Sequence, residues 1–457
     1  MVVGSDTQAV EALLATALSR VGTGAEAEAM VRSRDLALTR FAMSHIHQNL
    51  AEQDATLRVR IRTDGRTGVA STNRLNAEGL RDVVDQAAAI ARLAAVDPDP
   101  APLATGDGTQ AHSWLGFSAA TAEADPDLRA AGARAVIAAG EPGSLDVSGA
   151  FSTERSLIAV ANTTGLLASH EVTQAKLLTV MMGAHGSSGY AQALAGDVAN
   201  IDPQAVGEEA ARRAEASRNA VDLKPGDYPV VLGAYAVATV LEYLSFIAFS
   251  GLALEEGRSC MELGDAAMGG NVSIWDDGRD PSGIPATMDY EGVSKQRVNL
   301  VEGGVARAAV HDSATAHRAQ MPLTGHGLPA PNTFGPLTWN LFMAPGDSTH
   351  DDLVAGLERG VLVTRFHYVN IVHPKKGILT GMTKDGTFLV EDGKVVGPVR
   401  NLRFTQSIPE AFSHLSAIGA ETRLVGAEYS GITARAPAVR ADSWTFTGAT
   451  ADEGTVA

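Results

Sequence analysis

The chain has 457 residues, of which 45% are hydrophobic and 19% charged, and its formal net charge is −17. Two domains are expected, because one hydrophobic core usually stops growing below this length, and the composition is typical of folded proteins. The negative charge repels phosphate groups, which disfavours nucleic acids and anionic membranes as partners. A single cysteine, Cys260, excludes an intrachain disulfide and a cluster of zinc-binding thiolates. The first residues lack the basic and then apolar segments of a secretory signal, so the expected compartment is the cytoplasm.

The first half of the sequence alternates between helix and strand patterns. Apolar residues at helical spacing predict a first helix over residues 8–21. Apolar and basic residues alternate over 57–62, and Asp64-Gly65 then predicts a hairpin turn before residues 67–72. Together with the elements listed next, these predict a mostly antiparallel α+β domain over residues 1–222. The other helices are predicted at about 76–95, 119–139 and 203–217, and the other strands at 157–162, 166–170 and 175–182.

A second domain is predicted to begin where two prolines and a glycine interrupt the preceding helix, at residues 224–229. The apolar stretch 234–249 follows, but it contains Glu242 and is shorter than the roughly 20 residues that span a bilayer, so it predicts a buried helix. Beyond it, short apolar runs separated by Asp-Gly and Gly-Gly pairs predict a mainly antiparallel, barrel-like sheet. The prediction is therefore a β-rich domain over residues 223–440 and a tail over residues 441–457.

No catalytic or metal-binding motif is evident in this sequence, and no nucleotide-binding loop or serine nucleophile motif occurs. His170-Glu171 lacks the second histidine that a zinc peptidase helix carries four or five positions later, and its neighbourhood has a strand pattern. A cation at Arg258 would lower the thiol pKa of Cys260 and make it a nucleophile, but a small buried residue is the favoured interpretation. The carboxylates of residues 276–280, followed by Asp289 and Glu291, favour a solvated turn over a calcium site. The other histidines considered as ligands lie on a strand pattern or in Gly- and Pro-rich segments: His45, His47, His311, His317 and His326.

An ordered set of segments resembles the TldD/PmbA family (peptidase U62, also called modulators of DNA gyrase). The first is LKPGDYPVVL at residues 223–232, and SGLALEEGRSCMELGDAAMGGNVSIWDDG follows at residues 250–278. The others are MDYEGVSKQRVNLVEGGVARAAVHDSATA at residues 288–316 and a long segment that begins TRFHYVNIVHPKKG at residues 364–408. Shorter agreements occur earlier, at residues 40–49 and 62–73. The resemblance thus covers most of the chain.

The resemblance implies two kinds of subunit, of which this chain is similar to one. The TldD kind carries HExxxH on the helix after the PGDYxVVL-like segment and a cysteine near its C-terminus, and together these hold zinc. The PmbA or TldE kind lacks these ligands, as does this chain, because residues 240–249 contain no histidine and residues 437–448 contain no cysteine. Tyr243, Phe246 and Phe249 predict that the corresponding place is packed shut. The resemblance therefore implies a subunit without catalytic or metal-binding residues of its own, paired with a TldD-like subunit that holds zinc.

The same resemblance implies that the two subunits enclose a chamber for unfolded peptides or for small peptidyl or aminoacyl conjugates. An extended peptide would be held by strand addition to a sheet edge, and the segments 364–368 and 381–384 are the candidate edges. Two alternatives remain open, namely a stand-alone hydrolase that uses Cys260 and a regulatory protein that acts on DNA gyrase or another protein. A homodimer of the isolated chain is also possible. The candidate substrate-binding residues are Arg365, His367, Tyr368, Met382 and Thr383.

Overall fold

A computed structural model describes residues 7–105, 111–428 and 430–449. The N-terminal half comprises α1 (Thr7–Leu18), β1 (Glu26–Ala42), β2 (His45–Thr63), β3 (Arg66–Thr72), α2 (Ala77–Leu93), β4 (Ala111–Ser113), α3 (Ala119–Ala122), α4 (Pro126–Gly140), β5 (Asp146–Asn162), β6 (Leu167–Met182), β7 (Ser188–Ala195) and α5 (Pro203–Ala216). The C-terminal half comprises β8 (Gly226–Leu232), α6 (Ala234–Ile247), α7 (Gly251–Glu255), β9 (Ile274–Asp276), β10 (Val298–Glu302), β11 (Val305–Ala306), α8 (Ser313–Ala319), β12 (Asn340–Met343), α9 (His350–Ala355), β13 (Arg359–His373), β14 (Ile378–Glu391), β15 (Lys394–Pro398), β16 (Leu402–Ser407), α10 (Ile408–Ser413), β17 (Leu415–Gly426) and β18 (Thr433–Ala449).

The first sheet has the strand order β3-β2-β1-β5-β6-β4, with β7 also paired to β6. The predicted hairpin is confirmed, because β2 and β3 pair antiparallel around Asp64-Gly65. Both turn residues have positive φ angles, 49° and 69°, as a two-residue hairpin turn requires. The predicted helix from Asn76 is confirmed as well, and the Asn76 side chain accepts a hydrogen bond from the Gly79 N–H at 2.8 Å.

Two local predictions in this half differ from the structure. The single helix predicted over residues 119–139 is two helices, because Asp125 caps a new helix and Pro126 occupies its first position. The strands predicted at 157–162 and 175–182 are the ends of two long strands, β5 and β6, which pair along almost their whole length. Their polar middle residues hid that length from the sequence pattern.

The second sheet closes on itself. Antiparallel or parallel pairing runs from β8 to β13, β14, β16 and β18, and β18 pairs back with β8. Inside this ring the Phe366 and Trp444 rings stack at 5.2 Å, and Phe404 lies 4.5 Å from Phe366. The chain therefore has an α+β fold with an antiparallel N-terminal sheet and a barrel-like C-terminal sheet. Among the described residues no helix is both long and apolar enough to cross a membrane.

The predicted tail over residues 441–457 is wrong for the residues that the structure describes. Strand β18 continues to Ala449, and it pairs with β8, β16 and β17. Trp444 is completely buried and Phe446 is 1% exposed. The strand was not predicted because apolar residues are sparse here. The two aromatic side chains nevertheless complete the interior of the closed second sheet. Residues 450–457 lie outside the described part of the chain.

Buried polar contacts join the two halves and position the site described next. The Gln192 N–H on β7 donates to the Tyr235 hydroxyl at 3.0 Å, and its side-chain amide donates to the Gly426 carbonyl at 3.3 Å. His170 on β6 bonds through Nε2 to the Pro285 carbonyl at 3.1 Å. Because a buried polar group without a partner costs free energy, these contacts hold the halves in one arrangement.

Candidate functional site

A small polar pocket lies along one face of α6. Tyr235, Ala238, Thr239 and Glu242 face it, and their spacing of three or four residues places them on one side of the helix. The opposite side of α6 packs into the hydrophobic core. The pocket has a volume of about 40 Å³, which is room for about one water molecule. Its other walls come from β7, β13 and the end of β17 with the segment after it: Tyr190, Gln192, Arg365, Phe366, Val425, Gly426, Ala427, Glu428, Ile432 and Ala434.

Glu242 is the charged group that α6 contributes. Its side chain is buried and accepts a hydrogen bond from the Ser430 hydroxyl at 2.7 Å. Burial raises the pKa of Glu242, against the opposing effect of the Ser430 hydrogen bond. The prediction that this face of the helix is apolar packing is therefore wrong at Glu242.

Lys176 reaches the same place from β6, in the other half of the chain. Its ammonium group donates to the Ala427 carbonyl at 3.3 Å. Burial lowers the pKa of Lys176, while the negative charges of Glu428 and Glu242 favour the protonated form. The side chains of Lys176 and Glu242 thus influence each other's pKa from different halves of the chain.

Arg365 forms the most buried ion pair at the pocket. Its Nε and Nη2 groups each lie 2.6 Å from an Asp385 carboxylate oxygen, and Nη1 lies 3.3 Å from Glu428. The guanidinium also covers the Tyr190 ring at 4.3 Å. Burial is the main reason that the Tyr190 pKa is raised, so its hydroxyl stays protonated. This part of the wall is held rigidly by charge and stacking.

Of the sequence-predicted substrate residues, Arg365 and His367 come together around Glu428. His367 Nδ1 is 3.5 Å from the Glu428 carboxylate, without hydrogen-bond geometry, and it has no other hydrogen-bond partner. Tyr368 follows with a positive φ of 49° and is 65% exposed. Met382 is half-buried on β14, directly across from His367.

Thr383 is not brought to the pocket. It is fully buried, and its hydroxyl oxygen accepts the Leu402 N–H at 2.8 Å. The expectation that residues 381–384 form a sheet edge is also wrong, because β14 pairs with β13 on one side and β16 on the other. By contrast, β8 pairs with β13 only at residues 361–363, and no other described strand pairs with that side of β13.

Tyr243, Phe246 and Phe249 do not line the pocket, because Phe249 lies in the hydrophobic core and the other two pack against that core. The Tyr243 hydroxyl donates to the Val369 carbonyl, and its ring meets Phe246 edge-on at 6.3 Å. Phe249 is 1% exposed in the core. Sequence reasoning found these side chains but missed Lys176 and Glu428. The sequence contained one sign of a polar pocket here, Glu242, which is the only charged residue in the apolar stretch 234–249.

Cys260 lacks the environment that a nucleophile needs. Burial raises the pKa of its thiol to about 12, which fits the favoured interpretation as a packing residue and not the alternative of a thiol activated by Arg258. The Arg258 guanidinium is instead turned to Glu256 and to the Phe246 carbonyl. The thiol is therefore protonated at neutral pH.

The carboxylates near residue 280 are in part buried, which contradicts the predicted solvated turn. Asp276 accepts hydrogen bonds from His326 at 2.9 Å and from two backbone N–H groups at 2.8 Å. Glu291 accepts from the Ser313 backbone at 2.9 Å and lies 3.7 Å from Arg60 of the first sheet. Asp276 therefore joins β9 to the segments around residues 326 and 339, and Glu291 joins the C-terminal half to the first sheet.

The candidate histidines are dispersed. His326 is paired with Asp276, whereas His317 meets Asp99 at 2.9 Å and His311 meets Thr324 through its backbone. His45 and His47 are exposed at the start of β2. Over the described ranges, no three His, Cys, Asp or Glu side chains are arranged to hold a metal ion.

Family models match the chain along most of its length. They are described as PmbA/TldA metallopeptidase domain 1 at residues 27–91, the central domain at residues 117–218 and the C-terminal domain at residues 225–448. The pocket described above draws walls from the central and C-terminal matches.

Curated relatives match over shorter segments. A metalloprotease TldD homolog from Haemophilus influenzae is 27% identical over 229 residues, which are 48% of this chain and 46% of that protein. A metalloprotease from Methanothermobacter thermautotrophicus is 26% identical over 172 residues, or 37% of each chain. The matched segments thus span less than half the length of these relatives.

Solved structures share the whole fold. TldE from Thermococcus kodakarensis superposes with a TM-score of 0.86 at 22% identity, covering 96% of this chain and all of that one. A putative modulator of DNA gyrase from Thermotoga maritima superposes with a TM-score of 0.82 at 18% identity, covering 96% of this chain and 99% of that one. At such identities the likeness establishes the fold.

Proposed function

Because the chain belongs to the PmbA/TldA metallopeptidase family, we propose that it is the metal-free, TldE-like subunit of a heterodimeric TldD/TldE zinc peptidase. The zinc would be held by a TldD-like partner. This chain would close a shared chamber for unfolded peptides or small peptidyl or aminoacyl conjugates. The observation that carries the proposal is that the pocket side of α6 presents Glu242, bonded to Ser430, and no histidine.

The residues around this pocket do not suit a zinc ion. Zinc in proteins takes three or four nitrogen, sulfur or oxygen ligands that converge on the ion. Helix α6 directs one such group inward, the Glu242 carboxylate, which already accepts a hydrogen bond from Ser430. Lys176 nearby donates to the Ala427 carbonyl, and lysine is not among the usual zinc ligands. The family's metal chemistry is therefore assigned to the partner.

Substrate contact is proposed for the unpaired side of β13. Past residue 363 no described strand pairs with that side of β13, and strand addition binds peptides with little demand on their sequence. Arg365 and His367 lie on this stretch beside the half-exposed Glu428. We expect the His367 side chain, which is 17% exposed, to contact a bound peptide.

The test is coexpression of this chain with a TldD-like subunit, followed by digestion of casein. The complex should cleave casein and lose activity with EDTA or when the partner's HExxxH histidines are replaced. His367→Ala should raise KM severalfold, whereas His373→Ala, at an exposed position of the same strand, should leave KM unchanged. A complex that fails to form, or forms without peptidase activity, would contradict the proposal.

The alternatives predict different results. A stand-alone hydrolase requires casein cleavage by the isolated chain and loss of that cleavage in Cys260→Ala. A regulator of DNA gyrase requires binding to gyrase by the isolated chain. The cytoplasmic location is part of our proposal, and cell fractionation tests it.

A further inference from the structure

A cleft much larger than the polar pocket lies between α5 and the strands β13, β14 and β17. Its volume is about 770 Å³, within the range of about 300–1,000 Å³ that is usual for sites of small organic ligands. Tyr235 at the start of α6 lines both the cleft and the polar pocket, and the two share no other residue. The cleft is therefore a second place on this chain where a ligand has room to bind.

One part of the cleft wall is apolar. Val395 on β15 is 48% exposed there, although large apolar side chains are mostly buried in folded proteins. Leu362 on β13 is half-buried and packs against the buried cluster around Leu353, so this wall continues into the core. A ligand that places an apolar side chain on the wall would remove this surface from water. The apolar lining residues are Leu353, Leu362, Val363, Phe388, Val395 and Ala438.

Two arginines that share one carboxylate form the charged part of the wall. Arg213 and Arg423 lie 2.5 and 2.8 Å from the carboxylate oxygens of Glu209. Their guanidinium groups also lie 5.4 and 5.0 Å from the centre of the Tyr235 ring. Two cations around one anion leave one positive charge at this position, and the shared glutamate and ring hold it in place.

Arg423 keeps part of its hydrogen-bonding capacity. Its Nη1 group donates to Glu209 at 2.8 Å and to the Tyr235 hydroxyl. Within the described ranges its Nε and Nη2 groups have no hydrogen-bond partner, and the side chain is 41% exposed. Nε and Nη2 form one edge of the planar guanidinium, and such an edge matches the two oxygens of a carboxylate.

The charges along the cleft favour a ligand with a single negative charge. Three arginines and two glutamates line the cleft, so it carries one positive charge in excess on a chain whose net charge is −17. The two glutamates, Glu209 and Glu421, would repel a doubly charged phosphate more strongly than a carboxylate. The ligand that fits best therefore combines one carboxylate with an apolar group.

We propose that this cleft binds the C-terminal residue of a peptide, with an apolar side chain on the wall at Leu362 and Val395 and the free carboxylate on Arg423. The volume suits several residues better than a single amino acid, which favours a peptide as the source of that carboxylate. Binding here needs neither zinc nor a second subunit. The proposal therefore stands or falls independently of the proposed peptidase role.

Calorimetric titration of the purified full chain tests which chemical group is recognised. The probes are acetyl-Ala-Ala-Leu with a free carboxylate, the same peptide with a C-terminal amide, and acetyl-leucine. EDTA is present throughout, so that no metal-dependent cleavage occurs. The free acid should bind at least tenfold more tightly than the amide, and severalfold more tightly than acetyl-leucine. Equal binding of acid and amide, no binding of the acid, or equal binding of acetyl-leucine would overturn the proposal.

Substitutions locate the binding to the cleft. Arg423→Gln should weaken the free acid at least tenfold, to the level of the amide. Because Arg423 also holds Glu209, a second pair of variants avoids this contact. Val395→Glu places a negative charge on the apolar wall and should weaken the acid at least tenfold. Val396→Glu is the matched control, since Val396 is 54% exposed but does not line the cleft, and it should leave the affinity unchanged. Equal affinities for these two variants would contradict the site.

Discussion

Replacing Arg365 tests how firmly the pocket wall is held. The side chains of Arg365 and Asp385 are 10% and 0% exposed, so Arg365→Met leaves a buried carboxylate without its cation. Removing one partner of a buried pair costs about 3–5 kcal/mol, largely because the other charge stays desolvated. We expect the free energy of unfolding in urea to fall by about that amount. Arg359→Met, at an exposed pair on the same strand, should change it by less than about 1 kcal/mol.

The double variant isolates the interaction itself. Asp385 has a positive φ of 54°, which asparagine tolerates, so Asp385→Asn removes the charge with little backbone strain. With Arg365→Met present, Asp385→Asn should cost less than it does alone, giving a coupling free energy of about 2 kcal/mol or more. Additive effects, or a loss below about 1 kcal/mol for Arg365→Met, would refute the reasoning.

Three further predictions concern stability and reactivity. Burial lowers the pKa of His170, so protonation favours the unfolded chain and stability should fall as pH drops below about 6.5. In thermal melts from pH 8 to 5, the melting temperature should fall less for His170→Gln than for the unchanged chain. The same pH profile for both proteins would contradict this. Cys260, with its pKa raised to about 12, should react with iodoacetamide at pH 8 about a thousandfold more slowly in the native chain than in urea; equal rates would disprove the assignment. Trp444→Ala should lower the free energy of unfolding in urea by about 3–5 kcal/mol. Trp114→Ala, at a half-exposed position, should lower it clearly less. Similar losses for the two variants would argue against a packed ring interior.

Turns and helix ends were predictable because they depend on a few adjacent residues. Asp64-Gly65 tolerates the positive φ angles of a tight hairpin, and Asn76 supplies the oxygen that caps α2. The same local reasoning missed the break at Asp125-Pro126, although its signal was present. Helix-forming residues stand on both sides of this break, so one continuous helix was predicted across it.

The closed ring of the second sheet depends on contacts between distant residues. Trp444 and Phe366 stack inside it. The segment around Trp444 nevertheless has too few apolar residues for its sequence pattern to indicate a core strand. Pairing of β18 with β8 joins the two ends of the C-terminal half. No local pattern contains that information.

The pocket was only half predictable for the same reason. Arg365 and His367 were found because polar and aromatic residues alternate on one strand. Glu242 was seen but taken as part of an apolar helix, because its partner Ser430 lies 188 residues away in the sequence. Lys176 contacts Ala427 over a separation of 251 residues. Hydrogen-bond partners at such separations emerge only when the chain is folded.

The zinc content of the purified chain tests the central claim most directly. Expressed alone in zinc-supplemented medium and analysed by elemental mass spectrometry, the chain should carry far less than one zinc per molecule. Its complex with a TldD-like subunit should carry about one zinc per heterodimer. One tightly held zinc per isolated chain, lost on substitution of Glu242, would contradict the account.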